Sequence, residues 1–127
     1  MYSLLLNQLI YFTFAFIELP AMRINYNNIT RKIKETVLKT DSSAQIILYG
    51  SRARGDAKKD SDWDVLILVD KRKVTFRDEQ VFRHNLYDLT LETGQSISAF
   101  VYSKKEWNTT QSITPLYQNI KREGIYL

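Results

Sequence analysis

Residues 47–70 read ILYGSRARGDAKKDSDWDVLILVD, two apolar runs on either side of a basic, glycine-interrupted loop. The first run, QIILYG from Gln45 to Gly50, is short and rich in β-branched residues, so it predicts a buried strand ending at Gly50. The second, DWDVLILVD, is almost wholly apolar after Asp64, which predicts a strand buried on both faces. Residues two apart in a strand point the same way, so Asp62 and Asp64 present both carboxylates on one face as that strand begins. Two like charges this close repel unless a cation neutralises them, and a hard divalent ion does so through oxygen ligands. Ahead of them, Gly50 lets the backbone come close to a phosphate and Ser51 adds a hydroxyl donor. A short helical turn is predicted from Ser51, and its first amides would favour an anion. Arg52, Arg54 and Lys59 add positive charge, with no indication of which of them face inward.

Taken singly, these features are commonplace. A Gly-Ser pair is usually a turn, paired aspartates before a strand usually cap one, and Asp60 in KKDSD is ordinary turn chemistry. Their succession is much rarer: strand, Gly-Ser, ten residues, Asp-x-Asp, strand.

The bulk numbers narrow the chemistry. With 127 residues the chain has room for one domain and one core. There is no cysteine, which excludes disulfides, thiolate zinc sites and cysteine nucleophiles. His84 is the single histidine, so a metal would be held by carboxylates, which points to Mg2+ or Mn2+. The formal net charge of +4 and pI near 9.3 suit an anionic ligand. Basic residues gather near the quoted loop and in the helix predicted below, but none interleave with aromatics as in a strand-binding groove. No long nucleic acid is therefore expected, whereas a nucleoside triphosphate would use the same local charge.

Residues 1–21 form an apolar extension in which Glu18 is the only ionised side chain. Asn7 and Gln8 interrupt it and no basic residue precedes them, which weakens a signal peptide or a membrane anchor. The preferred expectation is that translation starts at Met22, so that 22–127 is the domain proper and the protein is cytoplasmic. A genuine apolar helix packed on the domain or on a partner is the next reading, and a membrane anchor the last.

Elsewhere, Thr30 is expected to N-cap a helix running to about Lys39, with Ile33, Val37 and Leu38 at helical spacing. DSSA at 41–44 reads as a turn. A second helix is expected over 76–92, with Val81, Leu86, Leu89 and Leu91 among its apolar positions, stopped at Gly94. SISAFVYS reads as a third strand, SKKEW as a short helix or turn, and Pro115 as the start of a last helix ending near Gly124.

The stretch LYGSRARGDAKKDSDWDVLILV resembles the signature of the DNA polymerase beta-like nucleotidyltransferases, and within them the minimal nucleotidyltransferases. Gly50, Ser51, Asp62 and Asp64 fit its pattern without a gap. Looser likeness runs through ISAFVYSKKEW to NIKREGI. The resemblance implies an α/β (α+β) fold, a small mixed β-sheet flanked by helices. It implies magnesium held by Asp62 and Asp64, and a triphosphate bound at Gly50 and Ser51 with Arg52 and Arg54 nearby. It further implies transfer of AMP from ATP to a hydroxyl, on a HEPN-type helical partner protein that the chain would silence as an antitoxin. Active members carry a third carboxylate on a neighbouring strand, and the register of VYSKKEW puts that position at Ser96. A serine there can neither bind metal as an anion nor act as a good base, so a catalytically impaired module that only binds its partner is the alternative expectation.

Overall fold

The computed structural model describes residues 26–127, so the extension at 1–21 and the Met22 start lie outside the described residues. Residues 26–31 are helical. Thr30 lies inside this helix instead of capping it: its Oγ1 donates to the carbonyls of Tyr26 and Asn27, both at 3.1 Å. A threonine within a helix commonly turns its hydroxyl back onto the preceding turn in this way. The helix, α1, runs to residue 40 and buries Ile33 and Val37 completely. Asp41 then takes the Ser43 amide at 2.9 Å, closing the expected turn.

The remaining elements follow in the order β1 (Gln45–Tyr49), α2 (Ser51–Arg54), β2 (Trp63–Val69), α3 (Phe76–Thr93), β3 (Ile97–Ser103), α4 (Lys104–Asn108), a 3-10 turn (Thr110–Ile113), α5 (Pro115–Glu123) and β4 (Ile125–Tyr126). The strands form one sheet in the order β3-β2-β1-β4, with β2 and β3 parallel and the other two pairings antiparallel. The fold is thus α/β (α+β), a small mixed sheet flanked by helices. The two-residue β4 was not foreseen, being too short to carry an alternating pattern. Among the described residues no helix is long and apolar enough to cross a membrane.

Register settles what each face of the sheet does. Ile47 pairs with Leu66, and Leu66 with Phe100, so these three side chains share one face. On it, Ile47, Leu66 and Leu68 pack with Trp107 of α4 and Ile120 of α5, rimmed by Tyr49, Tyr102 and Tyr117. The alternate residues Ile46, Leu48, Val65, Ile67 and Val69 are also buried, so β2 is covered on both sides as its unbroken apolar run requires. α1 and α3 bring the apolar side chains for that second face, and they run side by side. Asn85 Nδ2 donates to Thr40 Oγ1 at 2.8 Å, and Lys32 pairs with Glu92 at 2.6 Å.

In α3 the buried positions are Phe82, Leu86 and Leu89, whereas Val81 and Leu91 are 46% and 67% exposed. The spacing of 82, 86 and 89 follows one helical face, and 81 and 91 lie off it. The helix opens with a capping box between Thr75 and Asp78 and ends at Gly94 in the left-handed conformation.

Candidate active site

α4 and α5 cover their face of the sheet only over Leu66 and Leu68, the later part of β2. The beginning of β2, with Asp62 just ahead of it and Asp64 as its second residue, stays open on that same face. Alternation along the strand brings the two carboxylates to one side, Asp62 exposed and Asp64 partly buried. Burial, and then the charge of Asp62, push the Asp64 pKa up; the nearby Arg54 partly offsets them. A carboxylate held out of water next to another is a site that gains by taking a cation. The donors are oxygens only, a set whose chemistry would suit Mg2+ or Mn2+ held by Asp62 and Asp64.

β1 delivers the other half. It runs antiparallel to β2, so Tyr49 lies opposite Asp64 and Gly50 follows at the strand's end. Burial and the Asp64 charge push the Tyr49 phenol up to about 12, so it stays neutral and can only donate to an anion at ordinary pH. Gly50 has φ 73° and ψ −158°, a backbone region essentially restricted to glycine. A side chain there would also run into the Asp64 carboxylate, with Cγ only 3.3 Å from the added carbon. Gly50 is therefore fixed by a close approach to a carboxylate as well as by its backbone angles. Ser51 opens α2, and among the described residues its hydroxyl makes no hydrogen bond. At four residues, α2 is too short for a helix dipole to matter, so anion binding would rest on individual donors.

The two arginines part company. Arg52 lies over the ring of Trp63 at 4.7 Å and donates through Nη2 to the carbonyls of Lys59 at 3.2 Å and Ser61 at 3.0 Å. Trp63 alternates with Asp62 and Asp64, so its ring, and Arg52 with it, belongs to the opposite face. The Arg52 Nε is buried without a hydrogen-bond partner among the described residues. Arg52 thus braces the 55–62 loop from behind. Arg54 instead lies on the carboxylate side, pairing with Glu123 at 3.3 Å and with Asp56 at 3.3 Å. Replacing Arg52 by alanine is expected to cost about 1–3 kcal/mol of stability through the lost stacking and carbonyl contacts. Lysine should recover little of it, lacking the planar fork. Urea unfolding of the two variants checks this, and wild-type stability for Arg52→Ala would contradict it.

On β3 the parallel register sets Ser98 opposite Asp64 and Ile97 opposite Trp63, so Ser96 falls opposite Asp62. The Trp63 amide donates to the Ser96 carbonyl at 2.8 Å, which fixes that alignment. Among the described residues no group of three or more His, Cys, Asp or Glu side chains gathers around a common point. Asp62, Ser96, Ser98, Phe100 and Tyr87 line an open groove of about 540 Å3 along the outer edge of β3. The structure therefore gathers Gly50, Ser51, Arg54, Asp62, Asp64 and Ser96 and turns Arg52 away. Two residues escaped sequence reasoning. Tyr49 was legible from alternation, being one strand position before Gly50, while Glu123 offered only an acid at a helix C-terminus, where a base is favoured.

Three similarities bear on this arrangement. The family model described as nucleotidyltransferase domain matches residues 30–127. The "Putative protein adenylyltransferase MJ0141" of Methanocaldococcus jannaschii is 39% identical over 74 residues, covering 58% of this chain and 73% of that protein. A solved structure, "Crystal structure of the toxin-antitoxin with AMP-PNP", superposes with a TM-score of 0.57 at 15% identity over 76% of this chain and 69% of that one, a likeness of fold.

Proposed function

The chain belongs to the nucleotidyltransferase domain family, and from that premise we propose that it transfers AMP from ATP, with Mg2+ or Mn2+, to a hydroxyl on a HEPN-type helical partner protein, acting as an antitoxin. The observation that carries the reading is the meeting of Asp62 and Asp64, on one open face, with the Gly50–Ser51 turn at the end of β1. Support for ATP comes from the nucleotide analogue in the similar toxin–antitoxin structure, and support for a protein acceptor from the name of the archaeal relative. Supplied with ATP, the reaction would be cytoplasmic.

Asp62 and Asp64 would hold the metal, which when bound contributes charge neutralisation at the α-phosphate. Ser51 Oγ and the close backbone at Gly50 would hold the triphosphate, with Arg54 balancing part of its charge. The acceptor hydroxyl enters along the groove beside Ser96. Its oxygen bonds to the α-phosphorus in line, the bond to the bridging oxygen breaks, and pyrophosphate leaves. The acceptor's proton passes to water in the open groove, since Ser96 cannot take it as a carboxylate would. Orientation and charge would supply most of the rate.

Ser96 opposite Asp62 favours one second reading, a module that binds its partner without transfer. Incubating the protein with Mg2+, α-labelled ATP and the product of the neighbouring gene separates the two. Label on the partner supports the transferase; a tight complex without label supports the binding module. Ser96→Asp is expected to raise Mn2+ affinity about 10-fold and any transfer by about 10²-fold, the range for gaining a general base. Unchanged metal affinity would speak against Ser96 as the position of a third ligand.

A further inference from the structure

The end of α5 reaches the phosphate-side turn in a way that no motif of the sequence announced. Glu123 Oε1 accepts the Gly50 amide at 3.2 Å, and both of its carboxylate oxygens receive Arg54 Nη1 at 3.3 Å. The Glu123 side chain is only 14% exposed, far drier than the 47% of its partner Arg54. An acid at the last residue of a helix opposes the helix dipole, and a carboxylate taken out of water needs compensation. Among the described residues, the compensation comes from the Gly50–Arg54 turn.

The neighbouring residue explains how Glu123 reaches that position. A side chain at Gly124 would meet the Ile120 carbonyl at 2.5 Å and Ile47 Cγ2 at 2.7 Å, so the chain leaving α5 is pressed against β1. β4 continues the contact, pairing with Ile47 and Leu48, and the Leu127 amide donates to the Ile46 carbonyl at 3.0 Å. Glu123 is thus held beside the end of β1, where Gly50 has its glycine-only backbone angles. Left without support, such angles relax toward others, and the aim of Ser51 changes with them.

We propose that Glu123 is a positioning residue for nucleotide binding: its carboxylate clamps the Gly50 amide and Arg54 so that Ser51 is already aimed when the triphosphate arrives. This rests on the nucleotidyltransferase reading above. Glu123 touches neither nucleotide nor metal. It acts through Gly50 and Arg54, and its own charge is balanced by Arg54, so it holds the turn without repelling phosphate. The clamp also ties the NIKREGI stretch, which the chemistry leaves unused, to the site.

The test uses the full chain with a non-hydrolysable ATP analogue and Mg2+, followed by calorimetry, and separately with Mn2+ alone. Glu123→Ala is expected to weaken nucleotide binding roughly 10- to 30-fold, as loss of a charge-assisted hydrogen bond does. Mn2+ binding by Asp62 and Asp64 should stay within about threefold, a separation that general unfolding would not produce. Glu123→Gln keeps an acceptor for the Gly50 amide and should recover most of the affinity. Amide exchange at Gly50, followed by NMR without nucleotide, should speed up in Glu123→Ala and stay slow in Glu123→Gln. Three results would each overturn the clamp: wild-type affinity in Glu123→Ala, tighter binding in either variant, or a Glu123→Gln no better than alanine. Should the alanine variant not fold, the glutamine variant and the Gly50 exchange rate decide. A wild-type protein that binds no nucleotide would instead refute the transferase reading, while Gly50 exchange would still report on the clamp.

Discussion

Asp62→Ala is expected to lower AMP transfer at least 10³-fold while the protein remains folded, because Asp62 is exposed and supports no core contact. Removing one of two carboxylates from an oxygen-only site takes away several kcal/mol of charge stabilisation, and about 4 kcal/mol corresponds to that factor. Asp64→Asn should be as inactive, with a further signature in stability. Burial and the charge of Asp62 raise the Asp64 pKa above the ordinary aspartate value, so folding favours the neutral acid more than the unfolded chain does. The stabilisation from that neutral form is present below the unfolded value and is lost as pH climbs through the folded one. The variant stays neutral throughout. Its melting temperature minus that of the wild type should thus be near zero at about pH 3 and grow toward pH 7 without metal. Saturating Mg2+ should close this gap, since the ion stabilises only the wild-type pair. A gap that does not change with pH or with Mg2+ would mean that the two carboxylates do not share a cation.

Gly50→Ala should damage both stability and metal binding. It forces a non-glycine residue to φ 73° and ψ −158° and drives the new carbon into the Asp64 carboxylate. Backbone strain of this kind costs about 1–3 kcal/mol, and the steric conflict adds to it, so a loss of about 2–4 kcal/mol is expected in urea unfolding. Asp64 would have to move its carboxylate to escape, which disturbs its pairing with Asp62, so Mn2+ affinity should fall at least 10-fold along with stability. Loss of stability with normal Mn2+ binding would show that Asp64 is not held by its contact with Gly50.

Much of this site was legible from residue order alone because its parts are local. β1, the Gly50–Ser51 turn, the loop and β2 are contiguous, and strand alternation is a rule of covalent geometry. It therefore assigns Asp62 and Asp64 to one face before any packing is known. The apolar run of β2 announced a strand covered on both sides, and Val65 to Val69 are buried as it required. Helix faces were read less well: Val81 and Leu91 are apolar yet exposed, since a count of apolar residues does not fix which stripe meets the sheet. The Thr30 cap failed for a related reason, as a hydroxyl can equally fold back onto its own helix.

By itself, the sequence determined the two strands, the Gly50–Ser51 turn between them, the two aspartates on one face and the family these imply. Tertiary structure alone decided which arginine lies beside the two aspartates. Arg52 and Arg54 are two residues apart in one basic loop, but Trp63 draws the first behind the sheet and Glu123 draws the second to its front. It also decided that an acid 73 residues from Gly50 in the chain accepts that glycine's amide. The physical reason is that local rules act through dihedral angles and neighbouring side chains, whereas these contacts depend on how α5 and β4 close against β1. That closure is set by packing of Ile120 and Gly124 against Ile47, more than 70 residues earlier, which they meet only in the folded chain.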